Sequence, residues 1–467
     1  MRQFFAILKD SFREAVDGFV IYVMLGLSAI LILIAASMSF SPTAPDHAFG
    51  KIVEQFVIVF QDKSKSRTPS FSFDVKYKAT DVKPEGGGYK MRLTATAPIQ
   101  AGENKKGPDG TTPHDRARGD SFRGAVLNWS GKVGAKISAP PVGGKKLEGA
   151  LPTASTADEQ RAVTNELMEA FIANQFLMSA GMDATVKRVT DELSEPVYAF
   201  DVTTSGGSSV RGWPHATKIF FGAVTLDDET PLGGMLWAVE DVIINRFGGT
   251  MAVLVGLIIT AFFIPNMLRK GSIDLLVSKP IGRAPLLVYK YIGGLTFMFL
   301  VSAFTVGGIW FVLALRSGYW DPSFLIAIPL LTLSFGVLYA VSTLAAVVTR
   351  SAIAAMLLSV GFAFFLFVFG QIKAEYDDRR VKNPDVPRSA WVATVVDGGS
   401  DILPRTRDLD QMIRRAITRG TLPPTMERLA LQTAGDPPPA YATFGVTFAF
   451  IALMLGLSCW WFTKRDY

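Results

Sequence analysis

One cysteine, Cys459, and three histidines, His47, His114 and His215, are all the thiol and imidazole groups in the 467 residues. A single cysteine excludes an intrachain disulfide and a cysteine-based zinc site. The histidines share no ligand spacing such as i, i+4 and read as surface or hydrogen-bonded residues. No Gly-x-x-x-x-Gly-Lys-Ser/Thr loop occurs, so the chain has no nucleotide site of the usual kind. Charge is also missing from the long apolar runs. Phe19–Phe40, Gly248–Leu268, Ile292–Leu315, Phe324–Val348, Ala352–Ile372 and Phe444–Phe462 contain no Asp, Glu, Lys, Arg or His. Ion-coupled transporters and proton pumps need ionisable groups at membrane depth, because those groups carry the coupling ion. An intramembrane protease would need a His or an aspartate pair there. Neither class fits, and any work the chain does must draw its energy from a partner.

What is abundant is apolar surface. Hydrophobic residues make up 49% of the sequence and Phe alone counts 34, too much for a soluble protein of this length. About 20 apolar residues suffice to cross a bilayer as a helix, so the six runs read as six spans. The net charge of +6 is not gathered into a stripe with interleaved aromatics, and is read as membrane topology rather than nucleic-acid binding. The organising stretch is Gly248–Leu315, two apolar runs around a short basic insert. The insert carries Arg269, Lys270, Lys279, Arg283 and Lys290 against Asp274 alone. Short loops rich in Lys and Arg stay in the cytoplasm, which fixes the insert inside and, with six spans, both termini inside.

Residues 1–18 place Phe4, Phe5, Ile7, Leu8, Phe12, Ala15 and Val16 on one side of a helix, an amphipathic segment lying in the cytoplasmic interface. The first span, 19–40, is too long for the core of a cleaved signal peptide. Residues 41–230 form a large polar insertion outside the cytoplasm, and its Lys and Arg do not oppose this because long domains translocate largely regardless of charge. Alternation around Phe71, Phe73, Val75 and Tyr77 resumes after Gly86-Gly87-Gly88 at Tyr89, Met91 and Leu93, two strands joined by a turn. Residues 101–120 read as loop, and 122–138, 198–204 and 216–226 as strands. Residues 158–180 read as a helix, which makes the insertion an α+β domain. Residues 231–247 form an amphipathic lead-in helix with Trp237 in the interfacial aromatic belt. Residues 248–372 carry spans two to five, with the basic region 269–291 between the first two of these. Residues 373–443 form a second external insertion with a short helix at 408–419. Span six and a cytoplasmic end at Lys464-Arg465 complete the chain as 444–467.

The basic insert has the makings of a docking device. Ser272 can supply an N-cap oxygen to a short helix through Ile273-Asp274-Leu275-Leu276-Val277, which Lys279-Pro280 stops. Pro285 then opens the next helix, which runs through Tyr289 and Lys290 into the third span. A short, partly apolar helix held between two spans fits a partner's groove and can pass motion to both. An ordinary basic inside loop is the plainer reading of the same residues.

The run ITAFFIPNMLRKGSIDLLVSKPIGRAPLLVYKYIGG closely resembles the corresponding segment of bacterial ABC-2 type transporter permeases, the group that includes permeases for nitrous-oxide-reductase maturation and gliding motility. The match is specific over about 242–315 and weaker over 1–40 and the last spans. The resemblance implies an α-helical polytopic membrane protein of the bacterial inner membrane, six spans with an inserted external domain. It implies that Arg269, Lys270, Gly271, Ser272, Asp274, Leu275, Lys279, Pro280 and Arg283 form the coupling region that docks a separate ATP-binding-cassette ATPase. It also implies two permease subunits, expected as a homodimer, with two ATPases. ATP and Mg would bind on the ATPase; this chain would hold no cofactor and no catalytic residue. The external domain at 41–230 departs from the minimal family pattern, in which this loop is short, and could bind an envelope protein. Two readings follow: a permease that exports a substrate, or an ATP-driven mechanotransmitter or scaffold that moves none.

Overall fold

The computed structural model describes residues 9, 13, 20–54, 56, 75–96, 157–189, 197–205, 211–244, 250–260, 264–265, 282–382, 390–423, 426–427, 430–431 and 439–464. Apart from Lys9 and Arg13, the expected amphipathic helix at 1–18 lies outside them. So do the loop at 101–120, the strand at 122–138 and Phe71 and Phe73 of the first alternating run.

The chain begins with α1 (Val20–Ala36), β1 (Ser39–Pro42), α2 (Pro45–Glu54), β2 (Lys76–Glu85), β3 (Gly88–Thr96) and α3 (Ala157–Ala180). Four strands follow, β4 (Asp183–Val189), β5 (Val197–Ser205), β6 (Pro214–Ile219) and β7 (Val224–Pro231). The remainder is helical: α4 (Leu232–Val242), α5 (Thr250–Thr260), α6 (Arg283–Ser317), a 3₁₀ turn (Pro322–Ile326), α7 (Ala327–Thr349), α8 (Ala352–Lys382), α9 (Ala390–Ile402), α10 (Thr406–Thr421) and α11 (Ala440–Lys464). These elements form two compact units. One comprises Met1–Met38, Leu236–Gly420 and Leu431–Tyr467, the other Ser39–Met235 and Thr421–Ala430.

The second unit is built on two antiparallel sheets. The larger has the order β2-β3-β5-β4. Alternation along β3 buries Met91, Leu93 and Ala95 on the face covered by α2 and α3, where Phe49, Ile52, Phe56, Phe171 and Phe176 complete the core. Gly86 and Gly87 turn β2 into β3 with positive φ angles of 59° and 85°, the mirror-image turn that favours glycine in two-residue hairpins. The smaller sheet, β1-β6-β7, joins the start of this unit to its end, with Ser39 opposite Lys218 and Pro42 opposite His215. The sequence suggested one strand at 216–226; two strands are found. Between them Phe220 and Phe221 adopt φ of 53° and 56°, so the turn is left-handed without glycine at either position. Such residues are strained by about 1–2 kcal/mol each, and hydrophobicity alone gave no sign of a turn there. His215 is buried, with Nδ1 2.8 Å from the Trp213 carbonyl oxygen, and burial holds its pKa below the ordinary value. It is a hydrogen-bonded core residue.

The first unit is a helix bundle. Among the described residues four helices are long and apolar enough to cross a bilayer: Arg283–Ser317, Pro322–Thr349, Ala352–Asp377 and Ala440–Lys464. The shorter apolar helix α1 ends at Ala36, before the expected Phe40. The Ser37 hydroxyl donates back to the Ile34 carbonyl at 2.7 Å, and Ser39 and Phe40 already pair in β1. At its other end α6 begins nine residues before the apolar run, so Lys290, placed by sequence in the basic insert, sits in a long helix and is 3% exposed. Similarly, α8 runs ten residues past Ile372 through Lys-Ala-Glu-Tyr, good helix formers with no stop signal. Hydroxyls inside the bundle bond their own helix, as in Thr260 to Gly256 and Thr343 to Tyr339, both at 2.8 Å. The exception in reach is Ser28, whose Oγ lies 2.6 Å from Thr305 Oγ1 and ties α1 to α6.

The centre of the bundle is a stack of Tyr291, Tyr339 and Phe335, with neighbouring ring centroids 5.3 and 5.2 Å apart. The Tyr291 hydroxyl donates to the Gly336 carbonyl at 2.8 Å. Gly294 makes room for Tyr339: a Cβ there would lie 2.4 Å from the ring.

One end of the bundle gathers polar residues from distant segments. Arg316 donates to the Met38 carbonyl, Trp310 to the Asp321 carbonyl, Tyr319 to the Gly420 carbonyl and Trp237 to the Thr418 hydroxyl. Thr443 donates to Asp408, and Arg407 bonds the Gly370 carbonyl. The 373–443 insertion and the 316–323 turn therefore share one end. Glu240 is buried here, 5% exposed, and burial together with the nearby Asp321 carboxylate raises its pKa well above 4.5.

Two outcomes are expected. Gly294→Ala should destabilise the protein by about 1–3 kcal/mol through overpacking, and the loss should at least halve in a Tyr339→Leu background; equal losses in both would show that Tyr339 is not what the glycine accommodates. Thermal unfolding in detergent reads both. For Glu240, a folded pKa above the unfolded one means that stability is full below about pH 4.5 and declines as pH rises. The melting temperature of the parent should therefore fall between about pH 5 and 8, and Glu240→Gln should flatten that fall.

Candidate functional site

The described residues nearest the expected docking segment, Ile264 before it and Leu286 and Leu287 after it, lie at the end of the bundle opposite Glu240. Arg269, Lys270, Gly271, Ser272, Asp274, Leu275, Lys279 and Pro280 lie outside the described residues. Arg283 is described, and so are Ile264 and Pro265 before the segment and the residues of α6 after it.

A buried cluster joins them. Ile264, on the amino-terminal side, packs with Leu286 and Leu287 of α6 on the carboxy-terminal side. The same cluster contains Ala345, Ala346 and Val347 from the last turns of α7, Ala355 from the first turns of α8 and Phe462 from the last turn of α11. Tyr289, Cys459 and Trp461 pack around it. Small residues on α7 and α8 let these helix ends meet, and the tight turn between them has Arg350 in the left-handed region at φ 56°. The Thr349–Ser351 turn, the start of α6 and the end of α11 are thus brought to one end of the bundle, the three places that the sequence put on one side.

The start of α6 is capped by backbone only. Gly282 is the N-cap with an extended conformation and no side-chain cap bond, and Arg283 is the first helical residue. Pro285 falls in the first turn, where its missing N–H costs no helical bond. The helix dipole favours an anion at this position, so Arg283 gains nothing from its own helix. At the end of α11, Lys464 Nζ lies 4.5 Å from the Trp460 ring centroid, an aromatic and a cation together at a helix end. Among the described residues no three His, Cys, Asp or Glu side chains gather as a metal site.

Sequence reasoning did not reveal this buried cluster. Leu286 and Leu287 were visible only as part of an apolar lead into a span. Phe462 is separated from them by more than 170 residues, with no local signal linking them.

A search of curated proteins finds no match to the chain. The family model described as "ABC-2 family transporter protein" matches residues 6–467. That match takes in every helix of the bundle, the clamped basic segment and the inserted sheets, and the chain accordingly belongs to the ABC-2 transporter family as a multi-pass membrane subunit.

Proposed function

We propose that this subunit is the permease of an exporter driven by a separate ATP-binding-cassette ATPase, which docks on Arg269–Arg283 from the cytoplasm. Family membership implies partnership with such an ATPase. The observation that carries the docking assignment is the clamp: both flanks of the basic segment enter one buried cluster with the ends of α7, α8 and α11. A push on the segment would reach four long helices through a close-packed core, which transmits displacement rather than absorbing it. Arg283, a cation where the helix favours an anion, suits an acidic groove on a partner.

In this reading six spans place both termini and the 349–351 turn in the cytoplasm of a bacterium, with the 41–230 domain and the 373–443 insertion outside the inner membrane. Two copies pair with two ATPases, ATP and Mg bind on the ATPases, and the permease itself catalyses nothing. Closure of the ATPases on ATP drives the helices between two arrangements, and the outward arrangement releases the cargo.

Co-purification tests this. The combined Asp274→Lys and Arg283→Glu substitution should lower recovery of the ATPase encoded nearby by about tenfold or more, the effect of losing ~1.4 kcal/mol at an interface, with an unchanged melting temperature. Undiminished recovery and undiminished vanadate-sensitive ATP hydrolysis would overturn the docking assignment.

A further inference from the structure

The turn between β6 and β7 is exposed, apolar and strained at once. Phe220 is 58% and Phe221 72% exposed, and Gly222, Ala223 and Val224 are exposed beside them. Phe220 and Phe221 hold left-handed φ angles that Asn-Gly or Gly-Gly would adopt without strain, as Gly86-Gly87 does in the β2–β3 turn of the same unit. Folding alone thus favours other residues here on two counts, water contact and backbone geometry. Strain of this kind, kept at an exposed aromatic pair, points to a use.

The register indicates which use. β6 runs antiparallel to β1 with Lys218 opposite Ser39, so the turn lies at the end of the sheet where the chain enters it from α1. Ser39 is three residues beyond Ala36, the last residue of an apolar helix. Paired strands are about 5 Å apart and advance about 3.3 Å per residue, so Phe220 and Phe221 stand within roughly 10 Å of Ser39. The headgroup zone on each side of a bilayer is several ångströms deep, so a turn tethered this closely to a helix end is within its reach. The charge pattern agrees: from Lys218 to Thr225 the sequence KIFFGAVT holds one charge, positive, and Lys218 is exposed. Aromatic rings with a flanking lysine suit the boundary between acyl chains and phosphate.

We propose that the Phe220–Ala223 turn is a membrane-inserting tip, which seats its two phenylalanines in the headgroup–acyl boundary of the leaflet where α1 ends, with Lys218 at the lipid phosphates. Lipid is favoured over a protein partner because the tip is tethered, through Ser39 only three residues past Ala36, to a helix already read as membrane-spanning, so a bilayer surface is within its reach.

Site-directed spin labelling of the full-length chain tests this. With the single cysteine changed by Cys459→Ala, a nitroxide is attached at Ala223→Cys, which keeps both phenylalanines, and at Glu85→Cys in the β2–β3 turn for reference. The protein is reconstituted in vesicles of phosphatidylethanolamine and phosphatidylglycerol. At 223, collisions with oxygen should exceed those with a water-soluble nickel chelate several-fold, and the order should reverse at 85. Changing Phe220 and Phe221 to Ser should bring 223 to the behaviour of 85. Water-like collisions at 223 with both phenylalanines present would overturn the proposal. Protection from both reagents would also overturn it, in favour of a protein pocket or a second copy of the chain.

Discussion

Close approach at Gly294 and Gly336 is the constraint on which the helix bundle rests. Helices in a bilayer gain little from the hydrophobic effect when they associate, since lipid tails are as apolar as leucine. What remains is packing and internal hydrogen bonding, and both converge here. Gly294 leaves space for the Tyr339 ring, Tyr339 stacks between Tyr291 and Phe335, and Tyr291 is held by the Gly336 carbonyl. Other contacts follow the same logic: Gly308 leaves room for Ile32 between α1 and α6, and Gly399 for the Phe369 ring between α9 and α8. Several hydroxyls along these helices, those of Thr260, Thr343 and Ser458 among them, return to carbonyls of their own helix.

This packing relates the two ends of the bundle. At one end apolar side chains from four long helices and Ile264 close around the flanks of the basic segment. At the other, Trp310 and Tyr319 hold the 316–323 turn to α6 and α10, Trp237 ties the lead-in helix to α10, and the buried carboxyl of Glu240 lies near Asp321. The bundle thus has one apolar and one polar end.

Much of the membrane architecture was legible in the sequence because bilayers impose a coarse rule, long runs without charge. The rule fixed the middles of the helices and failed at their ends. The helix expected to open at Pro285 and run through Lys290 is found, beginning two residues earlier at Arg283, whereas α8 continues past Ile372, where charge was taken as the boundary. The helix α9 was missed because Asp397-Gly398-Gly399-Ser400 reads as a turn, while Gly399 actually serves close packing on Phe369. The hairpin at 214–231 was read as one strand because its turn is made of phenylalanine. In the candidate site the basic residues and Pro285 were visible, but the burial of Glu240 and the meeting of Ile264 with Phe462 depend on tertiary contacts that no local pattern encodes.

The sheet β1-β6-β7 has a topological consequence. It pairs β1, just after α1, with β6, and β6 with β7, just before α4, so the inbound and outbound strands of this unit lie in one sheet with β6 between them. Chain-closure entropy grows only slowly with length, and here the sheet closes the loop at its base. Such a base lets the part of this unit between Thr43 and Arg211 vary in length while β1 and β6 stay paired. It is a graft point, and it explains how a transporter subunit of ordinary plan can carry an insertion this large.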